Sequence, residues 1–463
     1  MEPSFAPIGR EALFDRLALG HAGRLTVLTP NRRLAQALSR AFDDSRARAG
    51  LVAWESADIV AWSGFVERLW DESLHAPHGG SLPLLLDPEE ERALWESVVG
   101  DSRQAKELLS ATGPAAQCGE AWQLLHAWRL GPAAASADAN EDAKAFHEWA
   151  ARYERLTRDQ RFVEAARLPD LLVPFVRDGS LRLPATLVLY AFDLLAPQAR
   201  DLVDAFAAAG VEVLACDAPR HEGHAVRESL ATPGDEIAAA ARWARARLHE
   251  AATRPDAAAP RIGVVVPDLA RSRAVVERVF AATLHPGHNA PGGVRAPRAF
   301  GLSLGMPLSG FAIVNDALLV LALAGREIAF EEASRFLRSP FLAGATVEMA
   351  ARARLDAALR KRAGVALTLD RLAGLVAAKG MPRAPVLGNL LAGLAEFRRS
   401  NLFGMRTPSD WAKAFAQALR LAGFPGDRSL DSAEFQTLGK WHEVVAAFAR
   451  LERVAGRMGY REA

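Results

Sequence analysis

Three features of the sequence predict a helix-rich α/β fold built on a parallel sheet. Four short apolar runs rich in Val, Leu and Thr, at residues 25–29, 186–192, 211–216 and 262–266, have the length and composition of buried strands. All but the third lead within a few residues into a segment with apolar side chains at three and four spacing, such as Leu34, Leu38 and Phe42. Strand, short turn and helix in that order is the repeating unit of a doubly wound parallel sheet, whose ligands sit beyond the carboxyl ends of the strands. The remainder reads mainly as helix, as at Trp122, Leu125 and Trp128.

At 463 residues the chain exceeds a single domain of ordinary size, about 150 residues. Half of its residues are hydrophobic and 24% are charged, a globular balance that excludes a wholly disordered, collagen-like or coiled-coil protein. Its 56 basic and 55 acidic side chains do not make a polycation, so any contact with nucleic acid must come from local patches. Two cysteines, Cys118 and Cys216, exclude a disulfide framework or a Cys-based metal site and fit a reducing compartment. Residues 1–17 lack the basic-then-apolar layout of a signal peptide. The most apolar internal stretch, residues 311–330, is interrupted by Asn315, Asp316, Arg326 and Glu327, which predicts a buried helix rather than a membrane span. A cytoplasmic chain with no membrane contact is expected.

Pro-, Gly- and Ala-rich breaks at residues 75–83, 131–142, 251–260 and 283–297 mark loops, the last three being candidate insertion or domain edges. Seven of the ten tryptophans (Trp54, Trp62, Trp70, Trp95, Trp122, Trp128 and Trp149) fall before residue 150, in a helical insertion between the first two predicted strands. Such a stripe could stack bases, but its helical spacing points to core packing.

A strand–turn–helix unit raises the question of a phosphate loop. None is present: lysines occur only at 106, 144, 361, 379, 413 and 440, and the single Gly-Lys pair, Gly439-Lys440, is followed by Trp441. A Walker A loop needs the Lys on the phosphates and a following Ser or Thr for magnesium, so ATP hydrolysis is not expected, and no cofactor is implied. Asp193, at the end of the second strand run, stands where an NTPase keeps paired carboxylates, but Leu194 follows it. One carboxylate cannot both organise a metal and position water, so Asp193 reads as a vestige or as a helix N-terminal charge. The only D/E-x-K triplet, Asp142-Ala143-Lys144, lies in a linker entering a helix rather than on a strand, as a nuclease core would require. Three H-x-x-H pairs, His75/His78, His221/His224 and His285/His288, lie in loops without a third ligand, and no G-x-S-x-G elbow occurs.

Local charge is more informative. Residues 24–48 hold Arg24, Arg32, Arg33, Arg40, Arg46 and Arg48 against Asp43 and Asp44. Asn31, Arg32 and Arg33 follow a strand and open a helix, where free backbone N–H groups and the helix dipole also favour phosphate. A second basic excess covers residues 352–373, and Phe397-Arg398-Arg399 and Phe403 with Arg406 add cations beside aromatics. A solvated helix face is the competing reading of each cluster.

The runs RLTVLTPNRRLAQALSRAFD, VLYAFDLLAPQARDLVDAFAAAGVEV, PGDEIAAAARWARARLHE and RIGVVVPDLARSRAVVERVF resemble the helicase-like half of a bacterial family of probable DNA repair proteins. These are relatives of the B subunit of the AddAB helicase-nuclease, an inactivated superfamily 1 helicase. SLGMPLSGFAIVNDALLVLAL, FEEASRFLRSPFLAG and FPGDRSLDSAEFQTLGKWHEVVAAFARL are similar to that family too, so the resemblance spans nearly the whole chain. It implies degenerate RecA-like parallel sheets with large helical insertions. The expected division is a first RecA-like domain from residues 1–60 and 180–225, a Trp-rich insertion at 61–179, the start of a second helicase-like domain at 226–310, and a helical region at 311–463. It places Asn31, Arg32, Arg33 and Arg40 on a strand of DNA, with Arg271 and Arg273 at the start of the second domain. Asp193 and Gln198 fall at a vestigial Walker B. Relatives continue into a RecB-like nuclease domain, whereas this chain stops at Ala463, so it reads as a fragment to which no nuclease activity is assigned.

The expected function is a non-hydrolysing DNA-binding and scaffold module of double-strand-break repair, with single-stranded DNA or a duplex end and an ATP-dependent helicase as partners. Two alternatives remain open: a nucleotide-using enzyme built on Asp193 and the loop from Gly20 to Gly23, and a helical protein-interaction module with no ligand.

Overall fold

A computed structural model of the chain describes residues 5–130, 140–219, 223–253, 260–287 and 299–463. Two compact units make up the chain: Met1–His221, Glu396–Gln417 and Glu443–Ala463 form the first, and Glu222–Ala395 with Ala418–His442 the second. The chain runs through β1 (Ala6–Pro7), α1 (Arg10–Leu17), β2 (Leu25–Thr29), α2 (Arg32–Arg48), β3 (Ile59–Ala61), α3 (Trp62–Ser73), β4 (Leu84–Leu85), α4 (Pro88–Gly100), α5 (Thr112–Ala127) and α6 (Glu141–Asp159). It continues with β5 (Phe162–Val163), α7 (Leu168–Arg177), β6 (Thr186–Tyr190), α8 (Pro197–Ala208) and β7 (Glu212–Cys216). The predicted loop at residues 131–142 falls mostly outside the described residues, as do parts of those at 251–260 and 283–297.

Five of these strands form an all-parallel sheet in the order β1-β7-β6-β2-β3. Every residue of β2 and β6 is buried, the signature of strands covered on both faces. Side chains alternate across the pleat. Val27, Val188, Tyr190 and Leu214 meet Leu13 and Leu17 of α1 and Leu38 and Phe42 of α2. Leu28, Leu187 and Leu189 meet Phe65 and Leu69 of α3, Leu172 and Val176 of α7, and Leu202 and Phe206 of α8. The result is a helix-rich, three-layered α/β unit around one parallel sheet.

The excursion between β3 and β6 has its own core. A parallel pair of short strands, Leu84↔Phe162 and Leu85↔Val163, ties its two ends together. Trp95 stacks on Tyr153 with ring centroids 4.0 Å apart, and Trp122 meets both rings edge-on. Trp70, Trp95, Trp122 and Trp149 are all buried, so these four tryptophans serve packing. The last residues of the chain close this core: Val454 packs against it, and Arg450 and Arg453 pair at 3.0 Å with Asp87 and Glu90, the reciprocal cap at the start of α4.

In the second unit, α9 (Pro233–Ala252) and α10 (Leu269–Leu284) pack through Ala241, Ala244, Val276 and Phe280. The apolar stretch at 311–330 forms a buried helix, α11 (Ala312–Gly325), followed by a short antiparallel pair of β8 (Ile328–Ala329) and β9 (Ala366–Leu367). Between these strands lie α12 (Phe330–Arg338) and α13 (Met349–Leu359). α14 (Leu369–Ala377) follows in this unit, and α15 (Pro385–Asn401), α16 (Pro408–Leu421) and α17 (Ser432–Arg450) are divided between the two units. No helix among the described residues is long and apolar enough to cross a membrane.

The predicted strand at 262–266 is not formed, and no parallel sheet is found in the second unit among the described residues. Ile262 and Val266 do pack against the two helices, but Val265 is 92% exposed and no strand lies beside it. Apolar composition favours burial, whereas a strand exists only through ladder partners.

One buried charge in the Trp-rich core has a measurable consequence. Glu164, fully buried, takes Arg167 on both oxygens at 2.6 Å and the Trp122 indole N–H at 2.8 Å. Nearby Glu91 has no such cation, and burial, reinforced by the Glu164 charge, pushes its carboxyl up to about 7. A carboxyl raised in the folded state keeps a proton that the unfolded chain has lost, so stability falls as pH rises from the ordinary value of 4.5 through about 7. Glu91→Gln is therefore expected to stabilise the protein by on the order of 2–3 kcal/mol at pH 8 and by little at pH 4.5. Urea unfolding at the two pH values measures this difference; equal effects would remove the buried carboxyl as its cause.

Candidate functional site

The order of the sheet locates a site. From β2 the chain passes through α2 to β3 on one side, and from β6 through α8 to β7 on the other, with α2 and α8 on opposite faces. The connections diverge between β2 and β6, and at such a divergence the crevice at the carboxyl ends of the strands is the usual ligand position of doubly wound sheets. The register Leu28↔Leu189 brings Thr29 and Tyr190 level at that edge.

On the β2 side, Asn31 caps α2: its Oδ1 accepts the Leu34 N–H at 3.0 Å, and the Thr29 hydroxyl donates to the Asn31 carbonyl at 3.0 Å. The cap aims the positive end of the helix dipole at the crevice. Arg32 and Arg33 occupy the first turn, exposed. Arg40 follows two turns later on the same side as Arg32, roughly 12 Å along the axis, so the pair cannot neutralise a single phosphate. Neither Arg32 nor Arg40 has a hydrogen-bond or ionic partner among the described residues.

On the β6 side, Ala191 adopts a left-handed backbone (φ 55°) with its N–H donating to the Cys216 carbonyl at 2.8 Å. That conformation costs a non-glycine residue about 1–2 kcal/mol. It turns the chain so that Phe192 packs into the core while Asp193 stays exposed. Arg10, at the start of α1, stands near Tyr190 and Cys216. Burial pushes the pKa of both groups up and so disfavours their ionisation, and the Arg10 charge pulls each back. Sequence reasoning missed Arg10 and Ala191. A two-residue strand has no readable pattern, and an alanine with positive φ has no sequence signal.

Other predicted residues are not brought to the crevice. The Gln198 amide donates to the Ala166 carbonyl at 2.8 Å and to Asp170 at 2.9 Å. Its side chain therefore ties α8 to the helical layer. Arg24 precedes β2 and lies at the amino edge, where it lines a cavity of about 840 Å³ with Gly20, His21, Asp58, Arg68 and Glu72. The loop from Gly20 to Gly23 and Asp193 thus flank opposite edges of one parallel sheet, roughly 16 Å apart by strand length, too far to hold one nucleotide phosphate between them. Arg46 lies over the Phe42 ring, and Arg48 bonds the Asp44 carbonyl.

Arg271 and Arg273 belong to the second unit. Arg271 is exposed beside Asp268 at 3.7 Å, whereas Arg273 pairs with Glu277 at 3.0 Å and bonds the Leu304 carbonyl at 3.2 Å. Arg352, in the second basic run, is buried in an ion pair with Glu348. Asp142 and Lys144 lie on α6. His75 and His78 are exposed, His285 accepts the Ala299 N–H, and His221 and His288 lie outside the described residues. Among the described residues, no three His, Cys, Asp or Glu side chains are placed to hold a metal ion.

The carboxyl edge of the sheet therefore offers guanidinium groups and a helix N-terminus, with Asp193 after β6 and Asp217 after β7 as carboxylates. Guanidinium groups at a helix N-terminus can hold phosphodiesters. Two substitutions separate structural from ligand-facing residues. Gln198→Ala is expected to cost about 1–3 kcal/mol, because it orphans buried partners, while Asp193→Ala stays within about 0.5 kcal/mol of wild type; chemical denaturation of both variants tests the assignment. No protein-family model matches the chain, and no curated protein matches it.

Proposed function

We propose that the chain is a non-hydrolysing, helicase-like DNA-binding and scaffold module of a recombinational repair helicase-nuclease, similar to the B subunit of AddAB. The observation that carries this reading is the divergence of the sheet between β2 and β6, which sets Arg32, Arg33 and the N-terminus of α2 where a doubly wound sheet receives its ligand. On this reading the sheet is a degenerate RecA-like core. Its crevice keeps the backbone-binding half of the helicase site and lacks the phosphate-loop lysine and, with Leu194 after Asp193, the paired carboxylate of the hydrolytic half.

The ligand is then the phosphodiester backbone of single-stranded DNA or a frayed duplex end, held without reading its sequence. An ATP-dependent helicase partner supplies the motor, in the cytoplasm, and any nuclease chemistry lies outside these residues.

Fluorescence anisotropy of labelled single strands across a salt series tests this. Wild-type affinity is expected to fall linearly with log salt, and Arg32/Arg33/Arg40→Ala to flatten the slope by about 2, at roughly 0.7 for each phosphate no longer neutralised. Absence of binding at low salt, or an unchanged slope in the variant, overturns it.

A further inference from the structure

The Trp-rich helical layer holds a second cavity, remote in sequence from the crevice. It encloses about 330 Å³, at the lower end of small-ligand sites. Phe162, Val163, Pro83 and Leu171 make its apolar wall, and its polar lining comes from His126 on α5, Thr157 and Arg158 on α6, Arg161 in the turn after it, and Arg167 and Asp170.

The charges around it are unequally answered. Arg167 is oriented by its double contact with Glu164 and by a 2.9 Å bond to the Thr157 hydroxyl. Asp170 is satisfied from behind, with Arg129 at 2.6 Å on one oxygen and the Gln198 amide at 2.9 Å on the other. Arg158 reaches Glu154 at 2.7 Å on its own helix, and Arg161 meets only a neutral acceptor, the Ser81 carbonyl, at 2.7 Å. The lining thus holds three guanidinium groups against one carboxylate, with Glu154 and Glu164 beside two of them, and Arg161 is the one that no carboxylate answers among the described residues.

Arg161 takes the left-handed position (φ 55°) just past the end of α6, with its N–H donating to the Arg158 carbonyl at 3.1 Å, so the end of the helix sets its place beside the cavity.

We propose that this cavity is a binding site for a terminal phosphate group, with Arg158, Arg161 and Arg167 around the oxygens and the carrier lying on Phe162 and Leu171. Donors on one helix and two connecting segments suit a tetrahedral dianion better than a planar carboxylate, which one guanidinium satisfies in its plane. The phosphate is carried either by a free small phosphoester or by the 5′ end of a nucleic-acid strand. The site is independent of the crevice reading, since it shares no residue with it.

Calorimetry on the full chain with inorganic phosphate at low ionic strength tests the proposal. Arg158→Gln and Arg161→Gly are the variants, and the exposed Arg92→Ala on α4 is the charge control. Glycine accepts positive φ freely, so the Arg161 variant removes the cation without straining the fold. Saturable phosphate binding is expected in wild type and control, about tenfold or more weaker in each cavity variant. No saturable binding, or equal affinity in all four proteins, overturns the site.

A 5′-phosphorylated strand that outbinds its 5′-hydroxyl twin only while Arg158 and Arg161 are present supports the site and identifies a strand end as the source. Binding of a nucleoside 5′-monophosphate with no difference between the strands supports it with a free phosphoester instead.

Discussion

Parallel pairing of β2 with β6 is the constraint on which the rest of the first unit depends. Both strands are buried along their whole length, so neither face of the sheet can meet a ligand, and function is confined to its ends. In a parallel sheet with crossover helices the ends are not equivalent. Helices begin at the carboxyl edge and finish at the amino edge, so the exposed N–H groups and the positive ends of the dipoles gather on one side. The turns after β2 and β6 face each other across the divergence, which is why Asn31 and Ala191, rather than residues of the outer strands, set the geometry there.

Arginine is abundant in this chain, and most of its guanidinium groups are structural. Arg352 is buried against Glu348 and bonds the Ala343 carbonyl; Arg428 grips Glu434; Arg129 joins Asp170 to Asp201; Arg273 holds Glu277. Each such pair adds rigidity at little net electrostatic gain where water reaches it. A run of cations in the sequence is thus a poor guide to a binding face. What distinguishes Arg32 and Arg40 is the combination of exposure, absence of a partner among the described residues and position on the helix that starts at the crevice.

The sequence made the central strands legible because burial on both faces demands a dense apolar run, which β2 and β6 have and β7 shows only after the exposed Glu212. It did not reveal β1 or β3, whose two and three residues pair only because the neighbouring strand is already in place. The same apolar criterion misread residues 262–266, which are flanked by helices but lack a ladder partner. At the site, Asn31 was legible through its cap position, since Asn before a helical run has a local mechanism. Gln198 was singled out by the resemblance alone, at the helix after Asp193, and its side chain turns away toward Asp170, a contact 28 residues back in the chain that no local pattern encodes. Trp70, Trp95, Trp122 and Trp149 were legible as core because helical spacing reports a face, whereas Trp54 and Trp128, read the same way, are exposed. Their stacking on Tyr153 and the buried Glu164 between them were not, because those contacts join three separate helices and a turn.

The closure of the Trp-rich core by Arg450, Arg453 and Val454 has a consequence for how the protein is made. Asp87 and Arg450 are 363 residues apart in the chain, and nearly all of the second unit is synthesised between them. Contacts of such separation close slowly, because the intervening loop must be ordered or tolerated first. On a ribosome the sheet can assemble once β7 has emerged, and the second unit can follow as an insertion. The helical layer stays unsealed until residues 450–454 arrive. During that interval Glu90, which is fully buried once Arg453 is beside it, has no cation. The nascent first unit is then least stable in the very layer that holds the buried tryptophans, the stage at which exposed apolar surface invites chaperones or aggregation.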